Sequence, residues 1–179
     1  AELGYSSLAI TDECSLAGVV KAYAACKLLA MQKKSLHLII GSEFSLNNEP
    51  PTETTHPSKV IALAPNKLAY QELSGFITLC RRRSTKGNYL FLEDDLAIHL
   101  SHCLIIFAPS RSQKPESSTL KNKALINILK NRDNVWVGYQ RLLLDDDHHF
   151  FQKTYQLAHT LNKPMLACGN VHMHCRSRK

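Results

Sequence analysis

Two apolar strands that each run straight into carboxylates, with a helix between them, constrain this chain more than any other stretch of it. Leu8-Ala9-Ile10 leads into Thr11-Asp12-Glu13, and Leu36 to Ile40 leads on through Gly41-Ser42 to Glu43. Between them, from Leu16 to Gln32, Val19, Val20, Tyr23, Cys26, Leu29 and Ala30 recur at spacings of three and four, which predicts a helix. Strand, helix, strand is a βαβ unit, and its natural outcome is a parallel pair. In a barrel of parallel strands the residues just past each C-terminal strand end face one mouth. Asp12, Glu13 and Glu43 are about thirty residues apart in the chain and are expected to meet there. Near the other end, the apolar stretch Met165 to Cys168 delivers His172 and His174, which share one face if the segment is extended. Carboxylates and imidazoles gathered at strand ends suit a divalent metal of the kind used in phosphoester hydrolysis.

The remaining chain keeps the same rhythm. Strands are expected over Lys59–Ala64, Cys103–Phe107 and Val135–Tyr139. Helices are expected from Asn66, as cap, to about Arg83, over Asp95–Leu100, Thr119–Asn131 and Asp146–Leu161. Residues 47–58, with Pro50, Pro51 and Pro57, read as a loop insertion, and Pro109–Ser118 as another loop. Alternation of strands and helices predicts an α/β barrel or a doubly wound sheet, and periodicity does not choose between them.

At 179 residues, 44% hydrophobic and 21% charged, the chain has the size and composition of one globular domain. No apolar run reaches the length of a membrane span and no signal peptide opens the sequence, so no membrane partner and a cytoplasmic location are expected. The six cysteines form no C-x-x-C pair and are expected as reduced thiols, with Cys26, Cys103 and Cys168 as small core residues. The net charge of +7 is a mild attraction toward polyanions. Arg81, Arg82, Arg83 and Lys86 form the densest basic cluster, a candidate phosphate-backbone contact or else a solvated helix end. Asp145-Asp146-Asp147-His148-His149 resembles a metal site in composition, yet it opens a predicted helix, where acids favour the dipole. No phosphate-binding glycine loop, dinucleotide fingerprint or nucleophile elbow is present.

Four blocks, ITDECSLAGVVKAYAACK, LIIGSEF, YQELSGFITLCRRRSTKGNY and PMLACGNVHMHCRSRK, occur in an order and spacing that resembles the PHP (polymerase and histidinol phosphatase) domain. Within that family they are most similar to the error-prone, replicative-alpha-like branch of the C-family bacterial DNA polymerases, which serves damage-response mutagenesis. The resemblance spans nearly the whole chain. It implies a distorted, seven-stranded, TIM-like β/α barrel, here one domain over 1–179, expected to be a fragment incomplete at its N-terminus. It also implies a site for divalent Zn, Mn or Mg. Asp12 keeps the family's acid, Glu13 stands where histidine is frequent, Glu43 matches the family glutamate, and His172 is kept. Asn170 replaces the usual Asp, no histidine precedes Asp12, and His56 is the histidine nearest Lys59. An eroded metal site is therefore expected, with a mainly structural role beside the other polymerase domains and DNA reached through the parent polymerase. The alternative is a free-standing metal-dependent phosphoesterase of the same superfamily.

Overall fold

The computed structural model describes residues 4–46, 57–111, 123–169 and 171. Its elements are β1 (Ser7–Ile10), α1 (Val19–Met31), β2 (His37–Ser45), β3 (Lys59–Ala64), α2 (Lys67–Arg82), α3 (Asp95–Ile98), β4 (Leu104–Ala108), α4 (Lys123–Lys130), β5 (Val135–Tyr139), α5 (Asp147–Leu161) and β6 (Met165–Ala167). The six strands form one curled sheet in chain order. The pairs β1–β2, β4–β5 and β5–β6 are parallel, as expected of strands joined by helices. β3 is antiparallel to both β2 and β4, which corrects the TIM-like expectation at that strand. The sequence between β2 and β3 is proline-rich and carries no helical period, so nothing in it predicts the crossover helix that a parallel β2–β3 pair would need. The fold is mixed α/β, and a seventh strand is not among the described elements.

One face of the sheet carries the core. Phe44, Val60, Phe107 and Val137 lie in register across four strands, as do Ala62, Ile105 and Val135, and all are essentially inaccessible. Helix α2 closes on this face with Ala69, Leu73, Phe76 and Cys80, a stripe at spacings of four, three and four. The rings of Phe44, Phe76 and Phe91 meet at centroid distances of 5.3, 5.5 and 5.6 Å. Leu125 and Leu129 of α4 and Leu157, Ala158 and Leu161 of α5 complete the cluster. Gly41 is a position where nothing larger fits, because a Cβ there would lie 2.7 Å from the carbonyl oxygen of Ala62. At the start of α2 the Asn66 side chain accepts the N–H of Ala69 at 2.9 Å, the expected cap.

Helix α1 forms within the stretch whose apolar spacing predicts a helix, yet none of its residues is buried, and Val20, Tyr23 and Met31 are exposed. It lies against β2, and among the described residues β1 pairs with β2 alone. Cys26 is accordingly half-buried, as is Cys168, whereas Cys14, Cys80 and Cys103 are buried; all five are free thiols.

Candidate functional site

β1 and β2 end side by side. Glu13 pairs with Glu43 in a parallel bridge, the Cys14 N–H donates to the Glu43 carbonyl at 2.8 Å, and the Glu43 N–H donates to the Asp12 carbonyl at 3.3 Å. The expected meeting of Glu13 and Glu43 therefore occurs. Asp12 has different company: its carboxylate accepts the N–H of Gly18 at 2.9 Å. A Cβ on Gly18 would stand 2.6 Å from the Asp12 carboxylate oxygen, so this approach uses the missing side chain of glycine.

Both glutamates have partners within the chain. The Glu13 carboxylate accepts the Tyr89 hydroxyl at 2.6 Å and the Ser45 hydroxyl at 3.0 Å, and the Ser45 N–H donates to the Tyr89 oxygen at 2.7 Å. Burial first, and the bond to Glu13 second, push the Tyr89 phenol well above its ordinary pKa, which keeps it a donor. The Glu43 carboxylate is ion-paired with the Lys59 ammonium. Lys59 sits opposite Ser45 in the β2–β3 ladder and reaches Glu43 on the diagonal. Among the described residues no group of three or more His, Cys, Asp or Glu side chains is arranged to hold a metal ion. Among the described residues these carboxylates face hydrogen-bond donors and an ammonium. His172, Asn170, His174 and His56 lie outside the described residues.

The basic run divides. The Arg81 guanidinium donates to the carbonyls of Glu13, Cys14, Gly87 and Asn88 at 3.1–3.3 Å and lies over the Tyr89 ring, 5.4 Å from its centroid. It thereby pins a turn in which Cys14 has a left-handed φ of 44°, a conformation that favours glycine. Arg83 makes a two-pronged bond to Asp95 at 2.8 and 2.7 Å. Arg82 and Lys86 point to solvent.

Asp147 opens α5 and Asp146 precedes it, in agreement with the helix-terminus expectation, but neither position owes its contacts to that helix alone. Arg111, just after β4, pairs with both carboxylates and with the Gln140 carbonyl, and its guanidinium lies 4.3 Å from the Phe150 ring centroid. Asp147 also accepts the N–H groups of Leu142 and Leu143 at 3.3 and 2.7 Å. Burial opposes its ionisation, yet Arg111 and these two N–H groups hold its carboxyl below the usual range.

Lys59, Tyr89 and Arg111 were not among the residues the sequence singled out. For Lys59 a signal exists: the proline-rich sequence before β3 has no helical period, which suits an antiparallel return, and the antiparallel register sets the first residue of β3 opposite the last of β2. Nothing in the local sequence announces the reach of Tyr89 or Arg111, whose partners are far away in the chain.

The profile of the PHP domain matches residues 1–115. The chain is 41% identical over 177 residues to the error-prone DNA polymerase of Saccharophagus degradans, covering 99% of this chain and 16% of that protein. It is 38% identical over 180 residues to that of Methylococcus capsulatus and 36% identical over 179 residues to that of Pseudomonas aeruginosa, covering 15% of each. The chain thus spans about 15–16% of the length of the curated relatives it matches. Among the described residues no helix is long and apolar enough to cross a membrane. With more than half of its length matched by that profile, the chain belongs to the PHP-domain family.

Proposed function

We propose that this chain is the PHP portion of an error-prone C-family DNA polymerase, and that it braces the polymerase without acting as a metal-dependent phosphoesterase. The observation that carries this is the occupation of the strand-end carboxylates: Asp12 by a backbone N–H, Glu13 by Tyr89 and Ser45, Glu43 by Lys59. Such contacts tie β1, β2, β3 and the turn after α2 into one unit. Similarity to error-prone DNA polymerases over nearly the whole chain supplies the rest of the reading. The parent then extends DNA in repair and translesion synthesis through domains outside this sequence. Those domains are the direct partners, and DNA is reached through them. Exposed Arg82 and Lys86 contribute backbone charge at that junction. The exposed apolar residues of α1, together with exposed Tyr5 and Leu8 of the β1 segment, are the surfaces on which neighbouring domains rest.

The test uses the full-length polymerase and the isolated chain together. Phe44→Ala in the polymerase is expected to lower thermal stability and primer extension in parallel. The isolated chain is expected to release no phosphate from phosphomonoesters or nucleotide 3′ ends with Mn²⁺ or Zn²⁺ present. Phosphate release abolished by Glu43→Ala would instead establish the metal-dependent phosphoesterase.

A further inference from the structure

We propose that Lys59 is a built-in cation that stands in place of a divalent metal at the strand ends, a role that follows only if the chain is the brace described above. The topology makes this possible. Because β3 runs antiparallel, its first residue arrives where β2 terminates, opposite Ser45. In a parallel β3 the same lysine would lie at the far end of the strand, roughly 17 Å away at about 3.3 Å per residue. The reversal that breaks the barrel's parallel order is thus also what delivers an ammonium to Glu43.

The surroundings fit the assignment. Glu13 and Glu43 are adjacent across the β1–β2 bridge, so two carboxylates stand side by side. Side chains of Glu43 and Lys59 are only 12% and 24% exposed, which limits what water can do for either charge. Tyr89 and Ser45 offer Glu13 hydrogen bonds but no positive charge. Among the described residues, the nearby Arg81 guanidinium is directed at backbone carbonyls of the turn. Lys59 supplies the charge at the Glu43 side, and a compact ammonium with three donors is the side chain suited to replace a small cation. A divalent ion brought to Glu43 would meet that ammonium and be repelled, so lysine and metal exclude one another. Removing the lysine leaves two neighbouring carboxylates with spare oxygen ligands, an arrangement that Mn²⁺ or Zn²⁺ can use.

The decisive experiment is thermal unfolding of the 179-residue chain as wild type, Lys59→Met, Lys59→Arg and the double variant Lys59→Met/Glu43→Gln. Each is measured with EDTA, with MnCl2 and with ZnCl2. Wild type and Lys59→Arg are expected to have the same Tm under all three conditions. Lys59→Met is expected to melt several degrees lower in EDTA and to recover when either metal is added, since a ligand bound only by the folded state raises its stability. The double variant is expected to lose that recovery. A Lys59→Met chain that folds only with metal supports the proposal in its strongest form. One that melts like wild type, or gains nothing from metal, overturns it, as does one that folds under no condition. A wild-type chain stabilised by Mn²⁺ or Zn²⁺ overturns both this role and the brace. An indifferent wild type with an equally indifferent Lys59→Met overturns the role of Lys59 alone.

Discussion

Arg81 and Arg82 are neighbours in sequence with opposite duties. Arg81 spends its donors on carbonyls more than sixty residues earlier and on the turn just ahead of it, while Arg82 faces water. Arg81→Ala is expected to destabilise the chain by about 2 kcal/mol, the scale of charged hydrogen bonds left unmade. Arg82→Ala should stay within about 0.5 kcal/mol of wild type. Urea unfolding of both variants decides the matter, and equal effects would contradict this division. Two other side chains contribute to the response to acid. Burial disfavours the Glu72 carboxylate, but N–H groups of Ser101 and His102 outweigh it and hold its pKa below the ordinary value. Asp147 is held low as well. A carboxyl whose folded pKa is depressed stabilises the fold above its unfolded pKa, and that contribution is lost as pH falls through the folded value. Stability should therefore decline below about pH 5, where ordinary carboxyls begin to protonate. Glu72→Gln should flatten part of that decline in a pH series of melts. From sequence the basic run reads as one cluster, because partners so distant in the chain leave no local trace.

At the scale of elements, the sequence is most legible where period and cap agree. Helix α2 occupies Lys67–Arg82 behind an Asn66 cap, and β3 spans Lys59–Ala64, both at the expected places. Asn66→Ala should cost about 1 kcal/mol through loss of that cap. Phe44→Ala, which empties the centre of a three-ring cluster, should cost about 3–5 kcal/mol. Chemical denaturation of these two variants ranks a local bond against a core ring, and a cap that outweighs the ring would contradict the packing described. Strand direction was less legible. The period of β3 is the same whichever way it runs, and only the lack of a helical period in the sequence before it carries the information. The apolar stripe of α1 is equally honest as a pattern, but a pattern does not reveal whether anything covers it. The strand-end carboxylates were legible as neighbours, since Glu13 and Glu43 do meet. Their partners Tyr89 and Lys59 depend on a turn and a reversal that spacing does not encode.

For the whole molecule, the distribution of apolar surface sets behaviour in solution. Tyr5, Leu8, Val20, Tyr23 and Met31 are each more than half exposed, and among the described residues β1 pairs on one side only. Unpaired edges and apolar surface of this kind promote association. The isolated chain is expected to self-associate as concentration rises in sedimentation velocity runs, and a monomer with clean two-state unfolding would contradict that. The measurement that bears most directly on the central claim is metal content by elemental mass spectrometry, on the wild-type chain purified without chelator and titrated with Mn²⁺ and Zn²⁺. Carboxylates already held by Gly18, Tyr89, Ser45 and Lys59 predict no metal above background and no saturable uptake. One or more equivalents of tightly held metal, lost on Glu43→Ala or His172→Ala, would contradict the account and make the strand ends a working metal centre.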